Sequence, residues 1–107
     1  MSVKQIEVDE FLQKLENQEL AQTIILDVRE PHEYEQYKLD EALFIPMNDV
    51  PYSLDRLPKD KAIYSVCAHG MRSQFVADYL VNHGYENVIN VVGGMAAIAA
   101  QKGVAYD

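Results

Sequence analysis

Apolar and polar positions along the chain alternate in two rhythms. Ile6 and Val8 flank Glu7 as in a short strand, and Asp9 then reads as an N-cap before Phe11, Leu12 and Leu15 at helical spacing. The run from Thr23 to Val28 (T-I-I-L-D-V) is continuous and largely β-branched, the pattern of a strand buried on both faces. Pro31 stops it and suits the first turn of a short helix over Pro31 to Tyr37. A second short apolar run, Ala42 to Ile45, closes at Pro46, and Val50 to Leu57 reads as a helical turn or two ended by Pro58. Ala62 to Val66 (A-I-Y-S-V) is another strand, with Cys67 directly after it. Ser73 to His83 predicts a helix with Val76, Ala77 and Leu80 on one face and Gly84 as its stop. Val88 to Val92 is the last strand, and Gly93-Gly94 turns into a short Ala-rich helix. Five strand-like runs alternating with helical patterns predict one α/β domain over residues 1–107, a central parallel five-stranded sheet flanked by helices on both faces.

Composition narrows the function classes. The chain has 107 residues, of which 49% are hydrophobic and 24% charged, as in a soluble globular domain that folds without disulfide or metal staples. Nine Lys and Arg face 17 Asp and Glu, a formal net charge of −8 that disfavours nucleic acid and anionic membrane surfaces. The most apolar stretch, Val91 to Ala100, is too short to span a bilayer. No basic-then-apolar leader opens the sequence, so the expected address is the cytoplasm, where a lone thiol stays reduced. Cys67 is the single cysteine, which excludes an internal disulfide, CxxC redox chemistry and a multi-cysteine zinc site. His32 and His83 have no Cys, His or Asp cluster beside them, so no metal is expected.

The informative stretch is Ile63 to Gln74, I-Y-S-V-C-A-H-G-M-R-S-Q. A buried strand delivers Cys67 to its C-terminal end, where open α/β sheets place ligand crevices. Gly70 permits a turn closed to bulkier residues, and Arg72 and Ser73 open a helix. Such a loop turns its amide N–H groups inward around the sulfur and backs them with a helix N-terminus. Arg72 adds a full positive charge. Each effect favours thiolate over thiol, and the thiolate is the nucleophile. A free cysteine is most often a small buried hydrophobe; strand, Cys, Gly-containing loop, Arg and helix in series reverse that reading.

Cys67-Ala68-His69-Gly70-Met71-Arg72-Ser73 resembles the C-x-x-G-x-R-[ST] loop of the rhodanese-like domains, sulfurtransferases that carry sulfur as a cysteine persulfide. Leu26-Asp27-Val28-Arg29-Glu30-Pro31, followed by Glu33-Tyr34, is similar to the family's L-D-V-R-x-x-x-E-Y signature, and Val92-Gly93-Gly94-Met95 to its Gly-Gly turn. The likeness runs from about Ile6 to Gly103. It implies a Cys67 persulfide, Arg72 as the second catalytic residue, and Ala68, His69, Gly70, Met71 and Ser73 as the substrate-binding loop. Arg72 either contacts an anionic donor or fixes the loop through a carboxylate. Asp27 is implied to support the active loop or the start of its helix, and Arg29 either helps to hold the loop or is solvated. No cofactor is implied. The partners are a small sulfur donor, thiosulfate or a persulfide, and a thiol acceptor, with a protein-borne persulfide as a further donor.

Two departures touch the scaffold. Tyr37-Lys38-Leu39-Asp40-Glu41-Ala42 stands where the family shows G-H-I-x-G-A, which implies a different path for that turn. Ile98 replaces the tryptophan that usually follows the Gly-Gly pair.

Cysteine phosphatases and arsenate reductases use a related cradle with five residues between Cys and Arg, enough to surround a tetrahedral oxyanion. Here only Ala68, His69, Gly70 and Met71 intervene, a ring sized for one outer sulfur atom. Sulfur transfer is therefore expected over phosphoryl chemistry. The competing reading is a persulfide carrier or protein-binding module with little thiosulfate turnover.

Overall fold

The computed structural model describes residues 2–106. In chain order the elements are β1 (Lys4–Ile6), α1 (Val8–Glu16), β2 (Ile24–Asp27), α2 (Pro31–Gln36), β3 (Leu43–Phe44), β4 (Ile63–Val66), α3 (Met71–Asn82), β5 (Val88–Val91) and α4 (Gly94–Lys102). Two 3₁₀ segments, Met47–Tyr52 and Leu54–Arg56, occupy the stretch read as a helical turn or two. All strand pairs are parallel, in the order β1-β5-β4-β2-β3. β4 lies at the centre, and each of its residues is buried, which is why its sequence runs apolar with almost no alternation.

The two faces carry different cores. Ile25, Tyr64, Val66, Ile89 and Val91 pack with Phe11 and Leu12 of α1 and Met95 and Ile98 of α4. Leu26, Val28, Ile63 and Val88 pack with Val76, Ala77 and Leu80 of α3 and with Val50 and Leu57 from the 3₁₀ stretch. Helices thus cover both faces, as the alternation predicts. Burying each of these large aliphatic side chains contributes roughly 1.5–3 kcal/mol relative to exposure. Ile98 is completely buried, so an aliphatic residue closes the core at the position where rhodanese-like domains usually carry tryptophan. The Tyr37-to-Ala42 turn buries Leu39 and closes with the Ala42 N–H donating to the Leu39 carbonyl at 3.1 Å.

Two α-helices start elsewhere than the sequence predicts, and strands β2 to β5 are shorter by a residue at one or both ends. Helix α1 begins at Val8 with Glu7 as its N-cap, so Asp9 sits inside the first turn instead of capping it. Val8 is buried and packs with Phe11 and Leu12, and this burial draws the helix start toward β1. Asp9 still suits its place, because a carboxylate in the first turn complements the helix dipole. Helix α3 begins at Met71, two residues before Ser73, because Gly70 takes the left-handed conformation (φ +103°) and turns the chain there.

Candidate active site

Strand β4 ends in the core, and Cys67 follows it with only 1% of its surface exposed. Its sulfur accepts the Gly70 N–H at 3.1 Å and the Ser73 N–H at 3.3 Å. Gly70 has no side chain with which to cap α3. The Cys67 sulfur fills that role, sitting over the free amides of the helix N-terminus. A third neighbour, the Ser73 hydroxyl, lies 3.3 Å from the sulfur. Burial by itself pushes the Cys67 thiol up, but the Ser73 hydroxyl and N–H and the Gly70 and His69 N–H groups outweigh it, so the thiol lies below its ordinary range.

The loop keeps its amides inward because its carbonyls are held outward. At the start of α4, the Met95 N–H donates to the Cys67 carbonyl at 2.8 Å and the Ala96 N–H to the Ala68 carbonyl at 2.9 Å. In a trans peptide the N–H opposes the C=O, so anchoring these two oxygens on α4 turns the following N–H groups toward the sulfur. The approach is so close that a Cβ on Gly94 would overlap the Cys67 carbonyl and the Ala68 backbone. The Gly-Gly turn is thus part of the site, although it lies some twenty-five residues along the chain.

Arg72 is engaged by a carboxylate. Its two terminal nitrogens donate to the two Glu33 carboxylate oxygens at 2.8 and 2.9 Å, tying α3 to α2. The Arg72 bond holds the Glu33 carboxyl down to about 2 despite partial burial, and Glu33 in turn raises Arg72 above its ordinary value. Glu33 also accepts the Glu30 N–H at 2.9 Å in the capping box of α2. Of the two kinds of partner open to Arg72, an anionic donor or a carboxylate, it is the Glu33 carboxylate that the guanidinium meets here.

Asp27 and Arg29 lie behind the loop, both completely buried. The Arg29 guanidinium donates to both Asp27 oxygens, at 2.7 to 3.2 Å, and to the Tyr37 and Glu33 carbonyls at 2.7 and 3.2 Å. Among the described residues, the Asp27 carboxylate bonds only to Arg29 and makes no hydrogen bond to the Cys67 loop. Asp27 therefore hydrogen-bonds neither to the loop nor to the start of α3 among the described residues, and the series of bonds continues from it through Arg29 to the Glu33 and Tyr37 carbonyls. Burial lowers the pKa of Arg29, but its bonds to Asp27 and Tyr106 more than restore it, so Arg29 is a fixed buried cation and not a solvated one.

His69 is exposed at the loop, with its ring edge-on to Tyr106 at 6.3 Å between centroids. Ala68 is buried, whereas Met71 and Phe75, one helical turn apart on α3, are 83% and 66% exposed. The described residues contain no cluster of three or more His, Cys, Asp or Glu that would hold a metal ion. No described helix is long and apolar enough to cross a membrane. A cavity of about 270 Å³ among Leu15, Leu20, Thr23 and Ile25 lies at the opposite end of the sheet and contains no loop residue.

Two site residues escaped the sequence reading. Glu33 stood only as part of a signature, with no indication that it meets Arg72 39 positions away. Asn90 interrupts the apolar run V-I-N-V of β5 and is buried, with its carbonyl oxygen 2.6 Å from the Ser73 hydroxyl. A polar residue inside a fully buried strand was the signal available for it.

Comparison with known proteins is consistent with this geometry. The family profile of the rhodanese-like domain matches residues 7–101. YtwF of Bacillus subtilis, which carries a sulfurtransferase name, is 37% identical over 97 residues, 91% of each chain. YrkF of the same organism, which carries a sulfur carrier name, is 36% identical over 88% of this chain and half of its own. The crystal structure of a rhodanese-like domain protein from Staphylococcus aureus superimposes with a TM-score of 0.81 at 38% identity, covering 89% of this chain and 90% of that one.

Proposed function

Because the chain belongs to the rhodanese-like domain family, we propose that it transfers sulfane sulfur through a persulfide on Cys67. The observation that carries this reading is the Cys67 sulfur seated on the Gly70 and Ser73 N–H groups at the start of α3. The Cys67 thiolate attacks the outer sulfur of the donor; the new S–S bond forms as the donor's own bond to that sulfur breaks. A thiolate leaves from a persulfide donor, or sulfite from thiosulfate. An acceptor thiolate then attacks the outer sulfur of the Cys67 persulfide and returns the Cys67 thiolate. Preorganised N–H donors stabilise the charge on sulfur throughout, and donors of this kind are each worth roughly 10²–10³ in rate where they have been removed from other enzymes. The chemistry needs no cofactor, and a reducing cytoplasmic setting keeps the lone thiol competent between turnovers.

The charge distribution favours a persulfide donor over free thiosulfate. Arg72, the cation of the loop, spends its guanidinium fork on Glu33, and the chain carries a net charge of −8. A dianionic donor therefore approaches an unfavourable field. Exposed Met71 and Phe75 beside the loop instead suit the apolar surface of a protein that bears the persulfide. This supports a second reading, a carrier that is loaded by a protein partner and turns thiosulfate over poorly.

Mass spectrometry after incubation with thiosulfate or with a small-molecule persulfide, beside a cyanide turnover assay, tests both readings. Gain of one sulfur atom with rapid thiocyanate formation identifies an enzyme, and gain without turnover identifies a carrier. Cys67→Ser is expected to remain folded and gain no sulfur; thiocyanate formation at the parental rate by that variant removes Cys67 from the reaction.

A further inference from the structure

Behind the sulfur, on the α3 face of the sheet, lies a short polar chain in an otherwise apolar layer. The Ser73 hydroxyl stands between two groups, the Cys67 sulfur at 3.3 Å and the Asn90 side-chain oxygen at 2.6 Å. The Asn90 amide nitrogen is 3.3 Å from the Gly70 carbonyl, which can only accept. That contact fixes the orientation of the amide: its nitrogen faces Gly70 and its oxygen faces Ser73. An amide oxygen carries no hydrogen, so the single hydroxyl proton of Ser73 lies on the bond to Asn90. The Ser73 oxygen then presents lone pairs to Cys67, an arrangement that accepts from a thiol S–H and offers a thiolate no hydroxyl proton until the hydroxyl turns off Asn90.

We propose that Asn90 is a positioning residue that holds the Ser73 hydroxyl proton away from Cys67 and thereby restrains ionisation of the thiol. This rests on the sulfur-transfer reading for its meaning, though not for its test. When the thiol proton leaves to solvent, the Ser73 hydroxyl stabilises the sulfur anion only by rotating its proton off Asn90. Rotation leaves the Asn90 oxygen buried without a donor, which costs part of what the new bond supplies. The thiolate is thereby kept more basic, and so more nucleophilic, than the amide cradle alone would leave it.

The surroundings allow this role to be isolated. Gly70 retains a second donor to its carbonyl, the Gln74 N–H at 3.3 Å, so the loop stays anchored without Asn90. The other partner of the Asn90 amide is the Gln5 side chain at 3.0 Å, which is exposed and can turn to water. Among the described residues, replacing Asn90 by an apolar residue therefore strands one buried group, the Ser73 hydroxyl, whose remaining hydrogen-bond neighbour is the Cys67 sulfur. The charged and titratable groups around the loop are Arg72 on α3, Glu33 on α2, the Asp27–Arg29 pair behind them, and His69 with Tyr106 at the mouth. None of them bonds to Asn90 or to the Ser73 hydroxyl among the described residues, so they act equally in every variant compared.

The test is the thiolate absorbance of the intact protein, followed against pH in the parent, Asn90→Leu, Ser73→Ala and the double variant. At a fixed pH below the parental midpoint, Asn90→Leu is expected to hold about tenfold more thiolate, the equivalent of one hydrogen bond no longer contested. In the Ser73→Ala background the same substitution is expected to change nothing. Asn90→Val, which suits a strand, gives the same comparison should the leucine variant not fold. In stopped-flow transfer above the midpoint, a weaker nucleophile and better leaving group slow sulfur uptake by about threefold and speed sulfur release by a similar factor. A thiolate content unchanged or lowered in Asn90→Leu, or an equal gain in the Ser73→Ala background, overturns the proposal. No sulfur donor enters the absorbance measurement, so an inactive transferase leaves this result readable.

Discussion

Two arginine–carboxylate pairs stand a few residues apart in this molecule, and they do different work. Asp27–Arg29 joins side chains two positions apart with no exposed surface on either partner. Glu33–Arg72 joins α2 to the active loop with about a third of the arginine and a fifth of the glutamate side chain still open to water. The buried pair compensates its desolvation only because every donor is used, on Asp27, on the Glu33 and Tyr37 carbonyls and on the Tyr106 hydroxyl. It is scaffold, and it fixes the carbonyls on which α2 is hung. The half-open pair is cheap to break and lies on the loop that surrounds the sulfur. Equal geometry on paper thus has unequal consequences, and solvent access decides between them.

The largest effect expected from breaking this contrast is on stability. Arg29→Leu leaves Asp27 as an uncompensated buried charge and should cost about 3–5 kcal/mol in urea unfolding. A loss below about 1 kcal/mol would show that water reaches Asp27 readily, and the contrast with the outer pair would collapse. Arg72→Ala should behave in the opposite way, with less than about 1 kcal/mol lost in stability but sulfur transfer lowered about tenfold. Parental transfer rates in both Arg72→Ala and Arg72→Lys would show that the backbone amides suffice.

Substitutions on the two sides of the outer pair sharpen the point. Arg72→Ala removes a cation near the sulfur and should raise the midpoint of Cys67 alkylation against pH, whereas Glu33→Gln removes an anion and should lower it. Shifts of the same sign would mean that loop geometry, and not charge, is what the pair controls. The smallest effect is acid sensitivity. The Glu33 carboxyl falls from an ordinary 4.5 to about 2 on folding, so its contribution is present above 4.5 and lost as pH drops toward 2. Solvent screening limits that contribution to at most about 1 kcal/mol. Urea midpoints of the parent should therefore approach those of Glu33→Gln across that window, and an unchanged difference would place the acid transition elsewhere.

The architecture was legible because burial writes itself into local pattern. T-I-I-L-D-V and A-I-Y-S-V read as central strands since a parallel strand covered on both faces has nowhere to put a charge. The helix ends were less legible. Asp9 resembled a cap by residue type, and only the packing of Val8 shows that the helix begins earlier. The Cys67 loop was equally visible, because the strand end, Cys67, Gly70, Arg72 and Ser73 follow one another closely, and Gly70 and Ser73 reach the sulfur through their own N–H groups.

Order along the chain determined the sheet, the position of Cys67 at a strand end, and a Cys-to-Arg loop of four intervening residues. Tertiary structure alone decided what those residues touch. Arg72 met Glu33, the Gly94 turn took hold of the Cys67 and Ala68 carbonyls, and Asn90 came to lie on Ser73. The reason is range. Backbone preference and hydrophobic period act over a few residues and leave a repeating trace, whereas a side-chain hydrogen bond is made by two groups whose separation along the chain is set by the strand order between them.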